Sequence, residues 1–118
     1  NKRANLSILL FKNNNIKKLN KKFRKKNKPT DILSFPFDKK FSKKTVLYLG
    51  DMIISYDFME KPKTLLAIEF KKKLIKIFIH GFLHLLNYDH IKLKDYKIMN
   101  NEEIKIYKFV NKKIEKLI

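Results

Sequence analysis

The feature that most constrains the fold is a window of eleven residues that holds all three histidines of the chain, His80, His84 and His90. Residues four apart on a helix lie about 40° apart around its axis and ~6 Å apart along it. His80 and His84 can therefore present their imidazoles to one ion from adjacent turns. On an unbroken helix His90 would point away, so the helix must end first. Asn87 can provide this end, because asparagine tolerates the left-handed conformation that ends helices. The chain can then turn back and bring His90 to the same ion, so the window predicts a metal site.

Three imidazoles leave one position open on a tetrahedral zinc ion, an arrangement typical of catalytic sites. The chain has no cysteine, so any metal must be held by His, Asp or Glu. Zinc lowers the pKa of bound water to about 7 and polarises phosphoryl oxygens, so hydrolysis is the predicted chemistry. We expect one zinc ion on His80, His84 and His90. Asp89 is a candidate acceptor for a ligand imidazole N–H, or else a residue that stabilises the turn.

The spacing of the histidines is also that of the metzincin proteases, HExxHxxGxxH. Position 81 is glycine here, whereas those proteases have the glutamate that serves as general base. A metalloprotease is therefore the weaker interpretation. Glycine inside a helix costs about 1 kcal/mol relative to alanine, which indicates a close approach of backbone or substrate at Gly81. Tight packing of the helix on a strand is the alternative.

The chain carries 29 Lys and Arg against 11 Asp and Glu, a formal net charge of +18. Such a field attracts polyanions, and RNA, DNA and ribosomes all qualify. All but two of these cations are lysine, in a sequence also rich in Asn, Ile and Phe, so compositional bias explains the charge equally well. A planar guanidinium binds phosphate at two points, as an ammonium cannot, which singles out the surviving arginines, Arg3 and Arg24.

The 118 residues are enough for one domain, residues 1–118, and 44% hydrophobic composition supports a buried core. We expect strands at residues 6–11, 31–37 and Val46–Ser55, with a polar loop at 39–44. The most apolar stretch, residues 74–86, is too short and too polar to span a membrane, and no signal peptide is recognisable. Without cysteine, the cytoplasm is the expected compartment.

Three helices are predicted. The first is capped within residues 13–15 and has Ile16, Leu19 and Phe23 on its apolar face. The second, at residues 64–86, is the long central helix that carries the histidines. The last begins near Asp95 as its N-cap. The apolar positions of the last two helices are Leu66, Phe70, Leu74, Phe78 and Phe82, and then Met99, Ile106, Val110 and Leu117. The two glycines, Gly50 and Gly81, should each have a structural reason.

The histidine window, HGFLHLLNYDH, resembles HGxLHLxGYDH of the YbeY family of bacterial endoribonucleases, also described as rRNA maturation factors. Residues 29–36, PTDILSFP, are similar to the family's PT(D/N)VLSFP segment, and Leu49-Gly50-Asp51 to its LGD strand. The resemblance covers the chain from about residue 23 to residue 90. Asn87 replaces the glycine of the family motif, and both residue types accept a positive φ.

This resemblance implies a zincin-like α+β fold, with a small mixed sheet of about four strands packed on helices. It implies a single zinc ion on His80, His84 and His90, and cleavage of single-stranded RNA. The implied task is maturation of the 16S rRNA 3′ end and late-stage ribosome quality control. RNA in rRNA or the ribosome is then the partner, with no membrane and no DNA expected. The family also has an important arginine shortly before its PT segment, which Arg24 matches.

We expect the scissile phosphate to bind between zinc and Arg24, the predicted catalytic residue. The nucleophile is metal-bound hydroxide or the ribose 2′-OH, and the sequence does not decide between them. Two alternatives remain open besides the endoribonuclease: a metzincin-like metalloprotease, and a non-catalytic rRNA-binding assembly factor that keeps the metal for structure. The oligomeric state is not predicted.

Overall fold

The computed structural model describes residues 3–38, 46–60, 66–88 and 92–117, which form an α+β fold as expected. Three strands and four helices are formed by these residues. In chain order they are β1 (Arg3–Phe11), α1 (Asn13–Arg24), β2 (Ile32–Pro36), β3 (Val46–Ser55), α2 (Tyr56–Met59), α3 (Ala67–Leu85) and α4 (Leu93–Leu117). The polar loop predicted at residues 39–44 lies outside the described residues.

The sheet is mixed and has the strand order β1-β3-β2. The central strand β3 pairs with β1 in parallel and with β2 in antiparallel. Pro36 ends β2 at the edge of the sheet, where the missing N–H of proline breaks no ladder. A sheet of about four strands was expected, whereas the described part of the chain forms a sheet of three.

Gly50 forms a bulge in the central strand. Along β1 the pairing advances from Asn5 to Ser7, while along β3 it advances from Tyr48 to Asp51, so β3 has one extra residue. Gly50 has a φ of 139°, and a Cβ at this position would lie 2.2 Å from the Phe35 carbonyl oxygen. The extra residue reverses the alternation of side chains across the sheet.

Helices cover both faces of the sheet. On one face, Ile16 of α1 is fully buried with Leu33 and Ile53. On the other face, Ile77 and Leu85 of α3 pack on a larger cluster. The strand residues of that cluster are Ile32, Leu49, Met52 and Ile54. Leu49 lies before the bulge and Met52 lies after it. They are three positions apart, and the extra residue at the bulge directs both side chains to the same face of the sheet.

The central helix α3 is buried on two sides. Ile79 and Leu83 pack against Met99 of α4, whereas Ile77 and Leu85 face the sheet. The expected apolar row is wrong in its first three positions: Leu66, Phe70 and Leu74 are exposed, and Phe78 and Phe82 are partly buried. Because α3 packs on the sheet and also on α4, it buries two rows of side chains. A single amphipathic stripe predicts only one buried row. The helix begins at Ala67, and Thr64 lies outside the described residues.

Two predicted helix caps are wrong in detail. Helix α1 begins at Asn13, whose backbone N–H donates to Asp57 Oδ2 at 2.7 Å, so a distant carboxylate satisfies the first turn. Asn13 Oδ1 instead accepts a hydrogen bond from the Ser55 hydroxyl. Helix α4 begins at Leu93, which places Asp95 within the first turn, where its charge still complements the helix dipole. In the described ranges, no helix is long and apolar enough to cross a membrane.

Replacing Gly50 with alanine is expected to lower the free energy of unfolding by about 3 kcal/mol, because the new Cβ meets backbone and φ is positive. Gly81→Ala should cost only about 1 kcal/mol, because the atoms its Cβ meets belong to side chains and alanine favours the helix. Urea denaturation of both variants measures the difference. Equal losses would contradict the role assigned to the bulge.

Candidate functional site

Helix α3 ends as the sequence predicts. Asn87 adopts a φ of 70°, and its N–H donates to the His84 carbonyl at 3.0 Å. The Tyr88 N–H reaches back to the Leu83 carbonyl, also at 3.0 Å. This pair of bonds is the Schellman motif, which needs a left-handed residue where Asn87 stands. The predicted helix stop is confirmed.

The helix stop also orients His84. Once the chain has turned, the Tyr88 carbonyl oxygen lies 3.0 Å from His84 Nδ1. A carbonyl only accepts hydrogen bonds, so the proton of a neutral His84 is on Nδ1 and its lone pair is on Nε2. The backbone turn at Asn87 therefore selects the tautomer of a side chain one turn earlier.

His80 is oriented by a different element, the helix α4. Its Nδ1 lies 2.6 Å from Glu103 Oε1, and both side chains are about one third exposed. A carboxylate can only accept here, so Nδ1 of His80 also carries the proton, and Nε2 carries the lone pair of the neutral ring. Carboxylate and carbonyl acceptors behind imidazole rings are the usual outer partners of metal-binding histidines.

The two Nε2 atoms face each other at 3.1 Å, with the ring planes at 83°. Two lone pairs at this distance repel unless a proton or a cation lies between them. Two nitrogen ligands of a tetrahedral zinc ion, each at about 2.0–2.1 Å from it, would be separated by roughly 3.3 Å. His80 and His84 therefore fit two adjacent positions on one zinc ion.

The third predicted ligand, His90, and the candidate acceptor Asp89 lie outside the described residues. Within the described ranges, no group of three or more His, Asp or Glu side chains could hold a metal ion. His80 and His84 are thus brought together by the structure, whereas zinc binding by all three histidines stays a prediction.

The structure brings Arg24 to the histidines. A cavity of about 220 Å³ is lined by Arg24, His80 and His84, together with Lys26 and Lys28. Arg24 is the last residue of α1 and donates from Nη2 to the Ser34 carbonyl oxygen at 3.2 Å. These three cations form a cationic wall in the cavity that holds the two imidazoles, and the described lining has one carboxylate, Asp31. This arrangement suits an anionic ligand.

Hydrogen bonds at both ends fix the segment that carries the cationic wall. Asn20 is buried in α1, and its side-chain amide donates to the Lys28 carbonyl at 2.8 Å. At the start of β2, the Asp31 carboxylate accepts from the N–H of Ile32 at 2.8 Å, and the Asp31 carbonyl accepts from Ser55. The segment that joins α1 to β2 thus has both ends held by buried or strand-bound groups, and its residues Thr30 and Asp31 also line the cavity.

Gly81 allows α3 to lie against the sheet. A Cβ at this position would come within 2.4 Å of Ile32 Cδ1 and 2.8 Å of Met52 Sδ. The Ser34 hydroxyl donates to the Gly81 carbonyl oxygen at 3.0 Å. Of the two explanations for this glycine, tight packing on a strand is correct. The protein core occupies the space that a longer side chain would need.

Asp51 of the LGD segment does not line this cavity. Its carboxylate accepts hydrogen bonds from Ser7 and Tyr48, which joins β1 to β3 beside the bulge. The bond to Asp51 raises the pKa of the Tyr48 phenol, because the carboxylate favours the protonated form. Asp51 is therefore a strand anchor.

Glu103 is the site residue that sequence reasoning missed. It lies 23 positions after His80, on a separate helix. Its local pattern is that of a polar helix face, where acidic residues are common. The sequence did offer one signal. Met99 lies one turn before Glu103 and is buried against α3, and residues four apart share a helix face, so Glu103 also faces the central helix.

Comparison with known proteins assigns the family. A family model described as Endoribonuclease YbeY matches residues 1–111. The Endoribonuclease YbeY of Pelagibacter ubique is 66% identical over 96% of this chain and 74% of its own length. That of Buchnera aphidicola is 46% identical over 83% of this chain and 63% of its own length. The solution structure of TM1509 from Thermotoga maritima has a TM-score of 0.58 and 28% identity, over 94% of this chain and 71% of that one.

The matched family and relatives are named as enzymes that cleave RNA. The chain belongs to the endoribonuclease YbeY family, so the predicted family and the expectation of an enzyme of this class are confirmed. It spans about three quarters of the length of the Pelagibacter relative, and 56% of that from Persephonella marina. The structural likeness supports the mixed α+β fold.

Glu103→Ala is expected to change the tautomer of His80, because an imidazole without this acceptor prefers the proton on Nε2. The ¹⁵N shifts of the histidine rings, recorded at alkaline pH in metal-free protein, measure the change. Glu102→Ala is the matched control, since the neighbouring Glu102 contacts Lys105 at 3.5 Å. An unchanged His80 tautomer in Glu103→Ala would contradict the orienting role.

Proposed function

We propose that this chain is the catalytic part of a zinc-dependent endoribonuclease that cuts single-stranded RNA. The observation that carries the proposal is the facing pair of Nε2 atoms on His80 and His84, within one cavity with Arg24. Each of these Nε2 atoms is a ligand type that zinc prefers. The proposal includes a zincin-like arrangement of helix and sheet, and cytoplasmic action on rRNA.

His80, His84 and the predicted third ligand His90 would hold one zinc ion. When bound with an open position, zinc lowers the pKa of water to about 7 and polarises a phosphoryl oxygen. Glu103 and the Tyr88 carbonyl keep the two imidazoles in the tautomer that such binding needs. The protein thereby avoids the cost of selecting a tautomer at each binding event.

Arg24 would bind the scissile phosphate. A guanidinium has five N–H donors in a planar fork, and the contact with the Ser34 carbonyl uses one of them. The remaining donors can bind two phosphate oxygens at once and stabilise the charge that develops during cleavage. Lys26 and Lys28 line the same cavity and add positive charge that attracts the backbone of RNA.

The substrate follows from charge and from family. A net charge of +18 favours a polyanion, and relatives of this chain are named endoribonucleases. We infer that the substrate is the 3′ end of 16S rRNA, within late-stage ribosome quality control. Attack by the ribose 2′-OH leaves a cyclic phosphate, whereas attack by water does not. Identification of the product 3′ terminus distinguishes these two nucleophiles.

The metalloprotease alternative is disfavoured at Gly81. Metzincins use a glutamate beside the first histidine as general base. Here position 81 faces Ile32 and Met52, so a side chain at this position would be directed into the core and away from the cavity. The other alternative, a non-catalytic rRNA-binding factor, predicts full function when the open metal position is blocked.

His84→Ala is expected to abolish zinc binding and to slow RNA cleavage by about a hundredfold or more, because Lewis-acid stabilisation contributes several kcal/mol. Metal analysis of the purified protein and cleavage of an end-labelled single-stranded RNA measure the two effects. Wild-type protein treated with chelator and then resupplied with zinc is the control. An unstructured polypeptide, incubated in parallel, tests for protease activity. Cleavage of RNA by metal-free His84→Ala would refute the mechanism.

Arg24→Lys is expected to retain zinc but to lower the rate of cleavage on the order of tenfold or more, because an ammonium cannot bind two phosphate oxygens in one plane. Arg3→Lys is a matched control. Arg3 is the other arginine of the chain, and it lies in the first position of β1, outside the cavity lining. Equal rates for the two variants would remove Arg24 from the mechanism.

A further inference from the structure

A second cavity lies directly behind the His80–Glu103 contact. Its volume is about 410 Å³, and it runs between α3 and α4. Glu103 lines this groove and also contacts His80, which lines the candidate site. Lys76, on the α3 side of the groove, precedes His80 by one helical turn, about 6 Å along the axis. A single bound polymer can therefore contact both cavities.

Beside two isoleucines, Ile79 and Ile104, the groove offers groups that can bind one nucleotide. Tyr107 provides an aromatic ring, and the Lys76 ammonium already lies over that ring at 5.1 Å from its centroid. Lys108 adds a second cation, and the Asn100 amide provides both a donor and an acceptor. The carboxylate in the lining, Glu103, is directed to His80. Aromatic rings beside basic side chains are the usual platform for bases and phosphates of single-stranded RNA.

We propose that the groove between α3 and α4 binds one nucleotide of single-stranded RNA next to the scissile phosphate. The base displaces the Lys76 ammonium from the face of Tyr107, stacks there and hydrogen bonds to Asn100. The phosphate binds the ammonium groups of Lys76 and Lys108. This subsite rests on the proposed ribonuclease function. Charge complementarity and continuity with the candidate site favour RNA over an acidic peptide, because a flat ring and an amide suit a base.

Stacking does not require the tyrosine hydroxyl, and this separates the role of the ring from general packing. Tyr107 is half-buried and packs beside Ile79 and Leu83, so its truncation also affects the core. Tyr107→Phe keeps the ring and should bind RNA as the wild type does. Tyr107→Leu removes the stacking surface and should weaken binding on the order of tenfold, as loss of a base–aromatic stack does.

The experiment measures single-turnover cleavage of a single-stranded oligoribonucleotide by zinc-loaded protein over a range of protein concentrations. Tyr107→Leu and Lys108→Gln should raise the half-saturating concentration while the maximal rate changes less than twofold. Tyr96→Leu and Lys112→Gln are matched controls on α4, outside the groove lining. Unchanged half-saturation in Tyr107→Leu, or an equal rise in its control, would overturn the subsite.

A photocrosslinking arm does not depend on cleavage or on the folding of a variant. Oligonucleotides with a single 5-iodouridine at each position in turn are irradiated with the wild-type protein, and crosslinked peptides are identified by mass spectrometry. Crosslinks to Tyr107 from one or two adjacent positions support the subsite, and their absence overturns it. If the wild type cleaves no RNA, the ribonuclease proposal fails by itself. Uridine monophosphate that binds where oligonucleotides fail to crosslink would overturn the RNA proposal in favour of a free nucleotide.

Discussion

The close contact of α3 with the sheet at Gly81 is the constraint on which the candidate site depends. Without a side chain at this position, the helix backbone approaches Ile32 and Met52 closely enough for Ser34 to hydrogen bond to the Gly81 carbonyl. Gly81 lies between the two histidines in the chain, so this contact holds the segment of α3 that carries both imidazoles against the sheet. The Ser34 carbonyl then accepts the hydrogen bond from Arg24. One strand residue thus connects the helix of the histidines to the cationic wall.

The features of the fold and of the candidate site that have a local cause could be predicted from the sequence. The helix stop at Asn87 follows from the conformations that one residue type tolerates, and the structure has the left-handed residue there. The special roles of Gly50 and Gly81 follow from the scarcity of glycine in the chain, because a residue that weakens helices and strands is retained where nothing larger fits. Strand and helix types follow from periodicity.

The remainder depends on contacts between distant residues. Glu103 orients His80 across 23 positions, and Asp57 caps α1 across 44, so neither is visible in any short window. The row of Leu66, Phe70 and Leu74 has helical spacing but is exposed, because the sheet and α4 bury other rows of α3. Periodicity identifies a helix, whereas the choice of its buried faces is made by its partners.

The site is therefore assembled by tertiary structure, although its histidines are neighbours in sequence. An isolated α3 would place His80 and His84 on adjacent turns but would supply neither the Glu103 carboxylate nor the Tyr88 carbonyl in its folded position. Docking of α4 fixes one ring, and the Schellman turn fixes the other. An ion that binds both imidazoles must therefore bind more tightly to the folded chain than to the unfolded one. By thermodynamic linkage, the same ion stabilises the packing of α4 on α3 and the turn at Asn87.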